Sequence, residues 1–489
     1  MAATHKVEII GNSKNVETGE LSDIQISPDE DKKLLRKIDR CLLPVMAVSY
    51  MFQFLDKSAL SFTAILGLRS ELHLNGSEFS WANGIYYFGY LIATSPAGFI
   101  MVRWPVGKTI ASAILFWGCV LMLTAVCHNA AGLLATRFFL GAAEAPIAPG
   151  LSVVVSMWYK RSEQPLRHAA WFLGNTCAGI FGGLLAYGIG HIESIAPWKA
   201  VFLIFGAVTT AWSFGIFFLL PDTPSTSWFL SPVDREKAIM RVKENKTGIK
   251  NDDFKWSQCR EALLDVKAWF LVIIQLSSNI PNGGEQSFGT IVVEGFGFGT
   301  LNSLLLQCVK YLVQGVFVLM ATAGSSYFHN TRTYWMAWNF AIAILGTALV
   351  RELPEHLPWG RFAGYCLAVS FGANFPLMMS LVSGNFGGFT KKVTVNAMVF
   401  TAYCAGNIVG PQLFFGRESP SYPSGFLSIM ICFGVGLVSS FLFRLYLIWE
   451  NRRRDRLTDP TAPSERFPGT CINLLDKTDK EIPEFRYVY

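Results

Sequence analysis

The sequence predicts an all-α membrane protein with twelve transmembrane helices in two six-helix halves, and three observations lead there. Only 16% of the 489 residues are charged, against 51% hydrophobic; an ordinary soluble domain carries roughly 25% charge. Stretches without Asp, Glu, Lys or Arg recur at 79–102, 110–136, 169–192, 200–220 and 425–443. Each can supply the ~20 apolar residues of a membrane-crossing helix. The longest interior polar stretch, 221–267, falls near the middle with six apolar stretches on either side. The same composition excludes a disordered chain, and the length excludes a disulfide scaffold. A transmembrane barrel would show alternating segments of roughly ten residues instead.

Taken in order, residues 1–41 are polar and read as a disordered cytoplasmic tail without a cleavable leader. The amino-terminal half, 42–220, holds spans near 42–66, 80–101, 109–127, 131–156, 168–190 and 200–220. Residues 221–267 open on Pro221-Asp222-Thr223-Pro224 and then turn helical and charged. Their nine basic and eight acidic residues nearly cancel, so the segment reads as a solvated cytoplasmic linker. The carboxy-terminal half, 268–449, holds spans near 268–290, 300–323, 335–351, 359–382, 394–416 and 425–449. A cytoplasmic tail, 450–489, follows and is expected to be disordered after residue 457.

Orientation comes from Lys and Arg in short loops. With a cytoplasmic amino terminus, the inner loops hold Arg103, Lys108, Lys160, Arg161, Arg167, Arg332, Lys391 and Lys392, while the outer loops hold Arg69, Lys199, Arg351 and Arg417. Eight against four puts both termini inside, and Arg452-Arg453-Arg454 after the last span agrees. The net charge of +6 therefore reads as topology in a lipid bilayer, not as nucleic-acid binding. Asn75-Gly76-Ser77 is a glycosylation acceptor pattern in the first outer loop; Asn245-Lys246-Thr247 has the same pattern on the inner side, where it would stay unmodified. The ten cysteines form no Cys-x-x-Cys pair and no His/Cys cluster, so neither a metal site nor a disulfide framework is expected. The seven histidines are dispersed, which argues against a membrane enzyme.

The halves echo each other faintly. Arg137-Phe138 opens the fourth span and Arg361-Phe362 the tenth; Gly174-Asn175 in the fifth matches Gly406-Asn407 in the eleventh. Two six-helix repeats around a central loop are the layout of carriers that work by alternating access at a midplane site.

Further segments carry a family resemblance. Gly98-Phe99-Ile100-Met101-Val102-Arg103-Trp104-Pro105-Val106-Gly107-Lys108 looks like a degenerate major facilitator superfamily signature between spans two and three. Arg137-Phe138-Phe139-Leu140-Gly141-Ala142-Ala143-Glu144 looks like that superfamily's Arg-x-x-x-Gly-x-x-Glu pattern. Leu55-Asp56-Lys57-Ser58, Trp158-Tyr159-Lys160-Arg161-Ser162-Glu163-Gln164-Pro165, Ile280-Pro281-Asn282-Gly283-Gly284 and Gly384-Asn385-Phe386-Gly387-Gly388-Phe389-Thr390-Lys391-Lys392 resemble the fungal allantoate permease branch of the anion:cation symporters, over about residues 35–455. The resemblance implies a proton-coupled symporter taking up a small organic anion, such as a carboxylate vitamin or ureide. It also implies a conformational-switch loop at Gly98, Arg103 and Lys108. In this branch the carboxylates of spans one and four take the proton and the neighbouring bases hold the anion. Asp56 and Glu144 are thus the expected proton-coupling residues, and Lys57 and Arg137 the expected substrate cations.

The residues suit those roles independently. An ionised group at the bilayer centre costs at least ~2.5–3.5 kcal/mol, so it needs a partner or an aqueous cavity. Arg137 and Glu144 are seven apart and share a helical face, whereas the adjacent Asp56 and Lys57 point about 100° apart. A mutually neutralising cluster on facing helices is one expectation, and a purely structural ion-pair cluster is the alternative. Glu285 and Lys310 add a second pair of intramembrane charges. Relatives often carry smaller or uncharged residues there, so both read as substrate-specific departures that pair across neighbouring helices, or else Glu285 sits in an outer vestibule. Asn175, Asn374 and Asn407 are candidates for hydrogen bonding to substrate, with helix–helix bonding as the alternative. Tyr86, Tyr87 and Trp171 could stack on a ring.

The fifth span is rich in glycine but lacks the Gly-Pro-x-x-Gly-Gly ending of proton antiporters, which favours symport. The expectation is a plasma-membrane carrier that works as a monomer without a cofactor, driven by the proton gradient. An exporter of a secondary metabolite or toxin on the same fold is the runner-up.

Overall fold

The computed structural model describes residues 27–160, 163–243, 255–328, 330–457, 477–482 and 485–489. Helices account for the regular structure, and no strand occurs among the described residues. The first helix, α1, runs Pro28–Thr63 and starts well before the expected span. Ser27 Oγ accepts from the Glu30 backbone N–H while Glu30 reaches back to the Ser27 N–H, a reciprocal cap that satisfies free donors of the first turn. The polar stretch is amphipathic, burying Leu34, Ile38 and Leu42 at four-residue spacing. Residues 28–41 are therefore helical, contrary to the expected disorder; residues 1–26 lie outside the described residues.

Past Thr63 the chain widens into a π-helical turn, Ala64–Leu68, in which Gly67 takes φ +101°. Then come α2 (Gly76–Arg103), α3 (Val106–Leu123) and α4 (Ala130–Glu144, resuming as Ile147–Trp158). The half closes with α5 (Gln164–Phe172 and Gly174–Ile189) and α6 (Pro197–Leu219). Two short helices, α7 (Pro232–Lys243) and α8 (Trp256–Leu263), form the described parts of the linker; Asn245 lies outside the described residues. The second half comprises α9 (Val266–Gly295), α10 (Thr300–Tyr327), α11 (Arg332–Glu352), α12 (Pro358–Ala368 and Asn374–Asn385, joined by a 3-10 turn), α13 (Phe389–Val409) and α14 (Pro423–Leu457).

Ten helices are long and apolar enough to cross a membrane, or eleven if α8 and α9, bent by 59°, count as one span. The 28-residue α2 fills the remaining position in the order. Large apolar side chains such as Phe116, Phe139, Phe218, Ile431 and Leu445 stand exposed. That is the outer surface of a chain whose solvent is lipid.

Packing repeats between the halves. The pair α3–α6 corresponds to α11–α14, and α1–α5 to α9–α13. A Cβ on Gly174 of α5 would meet the Ala47 carbonyl of α1 at 2.5 Å; one on Gly406 of α13 would meet Asn279 of α9 at 2.8 Å. Both α4 and α12 break eight residues after their arginine, at Ala145 and Val369. The short sequence echoes thus mark equivalent close approaches, where a missing side chain lets backbones touch.

The linker is less solvated than its composition suggests. Arg241 of α7 is buried and binds Asp31 of α1 and Glu163 before α5. Residues 477–482 and 485–489 also pack against the protein, contrary to the disorder expected after residue 457; residues 458–476 lie outside the described residues.

The tightest seam in the first half joins α2 to α4. A Cβ on Gly141 would stand 1.9 Å from the Tyr86 carbonyl oxygen, a backbone clash that only helix separation relieves. Gly141→Val is expected to remove most of the monodisperse peak in fluorescence-detected size exclusion. Gly434→Ala, where a Cβ meets nothing within 4 Å, should leave that peak intact.

Candidate functional site

The two halves meet along α1, α2 and α5 on one side and α9, α10 and α13 on the other. Thr290 donates to the Ser61 carbonyl at 2.6 Å, Ser80 to the Pro411 carbonyl at 3.0 Å, and Asn83 to the Gly283 carbonyl at 3.4 Å. These contacts lie toward the loop ends that the charge count would place outside. The expected intramembrane charges sit beneath them.

Asp56 and Lys57 point to different neighbours, as adjacent helical residues must. Asp56 is fully enclosed in the amino-terminal half, where Oδ2 accepts from Trp117 Nε1 of α3 at 2.9 Å and Thr209 Oγ1 of α6 at 2.7 Å. Its Oδ1 is buried without a hydrogen-bond partner. Lys57 faces the opposite half instead. Its ammonium lies 3.4 Å from the Tyr403 hydroxyl of α13 and 5.0 Å from the centre of the Tyr87 ring, with Phe54 and Tyr403 rings near 6 Å. Aromatic faces attract a cation through their quadrupole but leave its charge uncompensated.

Glu144 ends the first segment of α4, next to the break at Ala145-Pro146. Its Oε2 accepts from the Tyr86 hydroxyl of α2 at 2.6 Å and from Gln53 Nε2 of α1 at 2.8 Å, while Oε1 is buried without a partner. Arg137 is 2% exposed, its guanidinium lies 5.3 Å from the Phe202 ring centre, and its Nε and Nη2 lack partners. The expected neutralising cluster is therefore not formed: no ion pair joins Asp56, Lys57, Arg137 and Glu144. Each charge is solvated by neutral dipoles or rings instead: the adjacent Asp56 and Lys57 project toward different neighbours, and Glu144 turns to Tyr86 and Gln53.

Glu285 and Lys310 do pair, at 2.5 Å between α9 and α10. Tyr365 of α12 donates to the same Glu285 oxygen at 2.7 Å, and the Lys310 ammonium lies 3.8 Å from the Tyr311 ring centre. The Lys310 side chain is 4% exposed and that of Glu285 14%, so the pair is largely enclosed by the helices. Removing one partner of a buried pair strands the other, typically at ~3–5 kcal/mol. Glu285→Gln and Lys310→Met are each expected to lower the melting temperature in detergent clearly. The double variant should recover most of that loss, and a double loss equal to the sum of the two single losses would show that the pair is not coupled.

The asparagines divide. Asn374 accepts from Asn339 at 2.8 Å, and Asn407 accepts from Asn282 at 2.8 Å while donating to Asn279 at 3.1 Å. Both thus fasten helices to one another. Asn175 Oδ1 is buried without a well-formed hydrogen bond, beside the Tyr50 hydroxyl. Trp171 packs edge-on to Tyr50 at 4.5 Å. In the loop after α2, Arg103 covers the Phe99 ring at 4.1 Å and the Lys108 N–H donates to Asp222 at 3.2 Å. Gly98 touches nothing a Cβ would meet. Gly107 is the glycine of close approach here, its Cβ position lying 2.6 Å from the Leu220 carbonyl. Asn75 is exposed and immediately precedes α2.

Several partners were not singled out from sequence. Gln53, Trp117, Thr209, Tyr365 and Tyr403 sit 61 to 346 positions along the chain from the charged residues they bond, without a motif of their own. Tyr86 was visible as a ring, but its hydroxyl is what meets Glu144.

A profile of the Major Facilitator Superfamily matches residues 46–411. An uncharacterised transporter of Schizosaccharomyces pombe is 36% identical over 476 residues, spanning 96% of this chain and 88% of its own. The allantoate permease of Saccharomyces cerevisiae is 32% identical over 484 residues, spanning 96% and 88%. Among solved structures, a D-xylose–proton symporter superposes with a TM-score of 0.62 at 13% identity, over 83% of this chain and 97% of its own.

Proposed function

Since the chain belongs to the Major Facilitator Superfamily, we propose that this transporter takes up a small organic anion together with a proton. Relatives named as transporters and permeases also set it apart from enzymes. The observation that carries the reading is the segregation of the buried charges. Lys57, between the halves, has rings and a hydroxyl around it but no carboxylate. Glu144 keeps one oxygen without a donor.

A carboxylate arriving at Lys57 would neutralise the cation at the seam that must open and close. A proton on Glu144 would remove the matching negative charge from the amino-terminal half. Loading both leaves the site nearly neutral, the state that crosses a low-dielectric barrier at least cost. Binding of each ligand then favours the other reciprocally. Arg137 supplies a second cation deeper in the same half. Asp56, held by Trp117 and Thr209, is the second protonation site in this scheme. The name of the allantoate permease relative supports a carboxylate or ureide as the solute. Glu285 and Lys310 would contact a second polar group on it, with Asn175 lining the path.

In this reading the carrier is a plasma-membrane monomer with both termini cytoplasmic. Asn75 on the outer side is open to glycosylation, and the loop of Gly98, Arg103 and Lys108 acts as the conformational switch. The test is a panel of radiolabelled organic anions offered to expressing cells at two external pH values. Uptake that rises at acid pH and alkalinises the medium is expected. Uptake indifferent to the proton gradient would favour the exporter reading.

A further inference from the structure

The carboxy-terminal residues make a set of contacts that transport chemistry does not call for. Asp479 is fully buried and takes hydrogen bonds from Lys391 Nζ at 2.6 Å, the Tyr487 hydroxyl at 2.8 Å, the Gly387 N–H at 3.2 Å and Lys267 Nζ. Arg454, at the end of α14, donates to the carbonyls of Asp479, Ile482 and Phe485. Asn385 and Val488 exchange two hydrogen bonds at 2.8 and 2.7 Å, and Asn451 and Tyr487 exchange two at 2.9 Å. Gly387 is needed for this approach, because a Cβ there would lie 2.7 Å from the Asp479 nitrogen. All of these partners belong to the second half, so the segment does not plug the gap between halves.

The acids Glu261, Asp265 and Asp479 converge closely enough to suggest a cation site. The Lys391 ammonium already lies 2.8, 2.8 and 2.6 Å from them, so the positive charge is supplied by the chain. Burial alone would raise the Asp479 carboxyl, yet the Lys267 and Lys391 ammonium groups hold it far below the usual carboxylate range. It stays ionised at any cytosolic pH, and the lock would open only in strong acid. The first half carries the mirror arrangement. There Arg241, from the segment that follows α6, ties Glu163 before α5 to Asp31 of α1.

We propose that residues 477–482 and 485–489 form a positioning strap in which Asp479 fastens the loop before α13 to the inner ends of α9 and α14, so that these ends and that of α12 move as one body during turnover. This goes beyond the transport reading and rests only on the chain being a carrier, not on its solute. Hydrogen–deuterium exchange of the full-length protein in lipid nanodiscs tests it without any substrate. In Asp479→Asn, amides in both 477–489 and 384–392 should exchange about tenfold faster or more, the scale set by losing bonds to a charged group. Asp479→Glu, which keeps the charge, should restore most of the protection, and Tyr487→Phe should give a smaller rise in the same two segments. Faster exchange in 477–489 alone, or in neither segment, would overturn the strap. A glutamate variant as unprotected as the asparagine one would overturn its charge basis. General loosening of the fold would appear in α3 and α6 as well, and would equally count against a local lock.

Discussion

Glu144→Gln is expected to abolish proton-driven accumulation while leaving exchange of labelled for unlabelled anion intact. The glutamine is nearly isosteric, and its carbonyl oxygen can still accept from Tyr86 and Gln53, which now bond the carboxylate at 2.6 and 2.8 Å. Geometry is preserved while the site can no longer gain or lose a proton. The variant is a fixed copy of the protonated carrier, able to turn over loaded but not to be driven. One pH unit stores about 1.4 kcal/mol, enough for about tenfold accumulation; in the variant the ratio should fall to the level set without that gradient. Accumulation at the wild-type level would remove Glu144 from the coupling step.

Lys57→Ala should weaken apparent anion affinity by about 10- to 100-fold, the equivalent of losing one charge-assisted bond of about 1.5–3 kcal/mol. The ammonium has no carboxylate partner to be stranded by its removal, only Tyr403 and the rings of Tyr87 and Phe54. The fold should therefore tolerate the change better than it tolerates breaking Glu285–Lys310. Lys57→Arg is expected to recover affinity only in part, since a planar fork does not fill the space of a compact ammonium. Competition by unlabelled anion in exchange assays reads both. An unchanged affinity in the alanine variant would take Lys57 out of the site.

These two residues show how far the chain could be read in advance. Their types and positions inside apolar stretches already marked Asp56, Lys57, Arg137 and Glu144 as costly and so functional candidates. Helical geometry correctly separated Asp56 from Lys57 by about 100°. The pairing of the four was not legible, because Asp56 is satisfied by Trp117 and Thr209, 61 and 153 positions away. Glu285 and Lys310 were better served, with 25 positions and one turn between neighbouring helices separating them. Asn374 and Asn407 look alike in sequence to Asn175, yet both are spent on helix–helix bonds.

Hydropathy was enough for the apolar spans, since a bilayer imposes length and polarity on every crossing segment regardless of its neighbours. The ends escaped that logic. Leu34, Ile38, Arg241 and Asp479 sit in polar stretches whose composition suggests solvation, yet each is buried, the last two by partners far along the chain. Whether a charged residue meets water, a ring or an opposite charge depends on which helices converge on it. Local pattern carries no record of that convergence, so it emerged only when the two halves were packed.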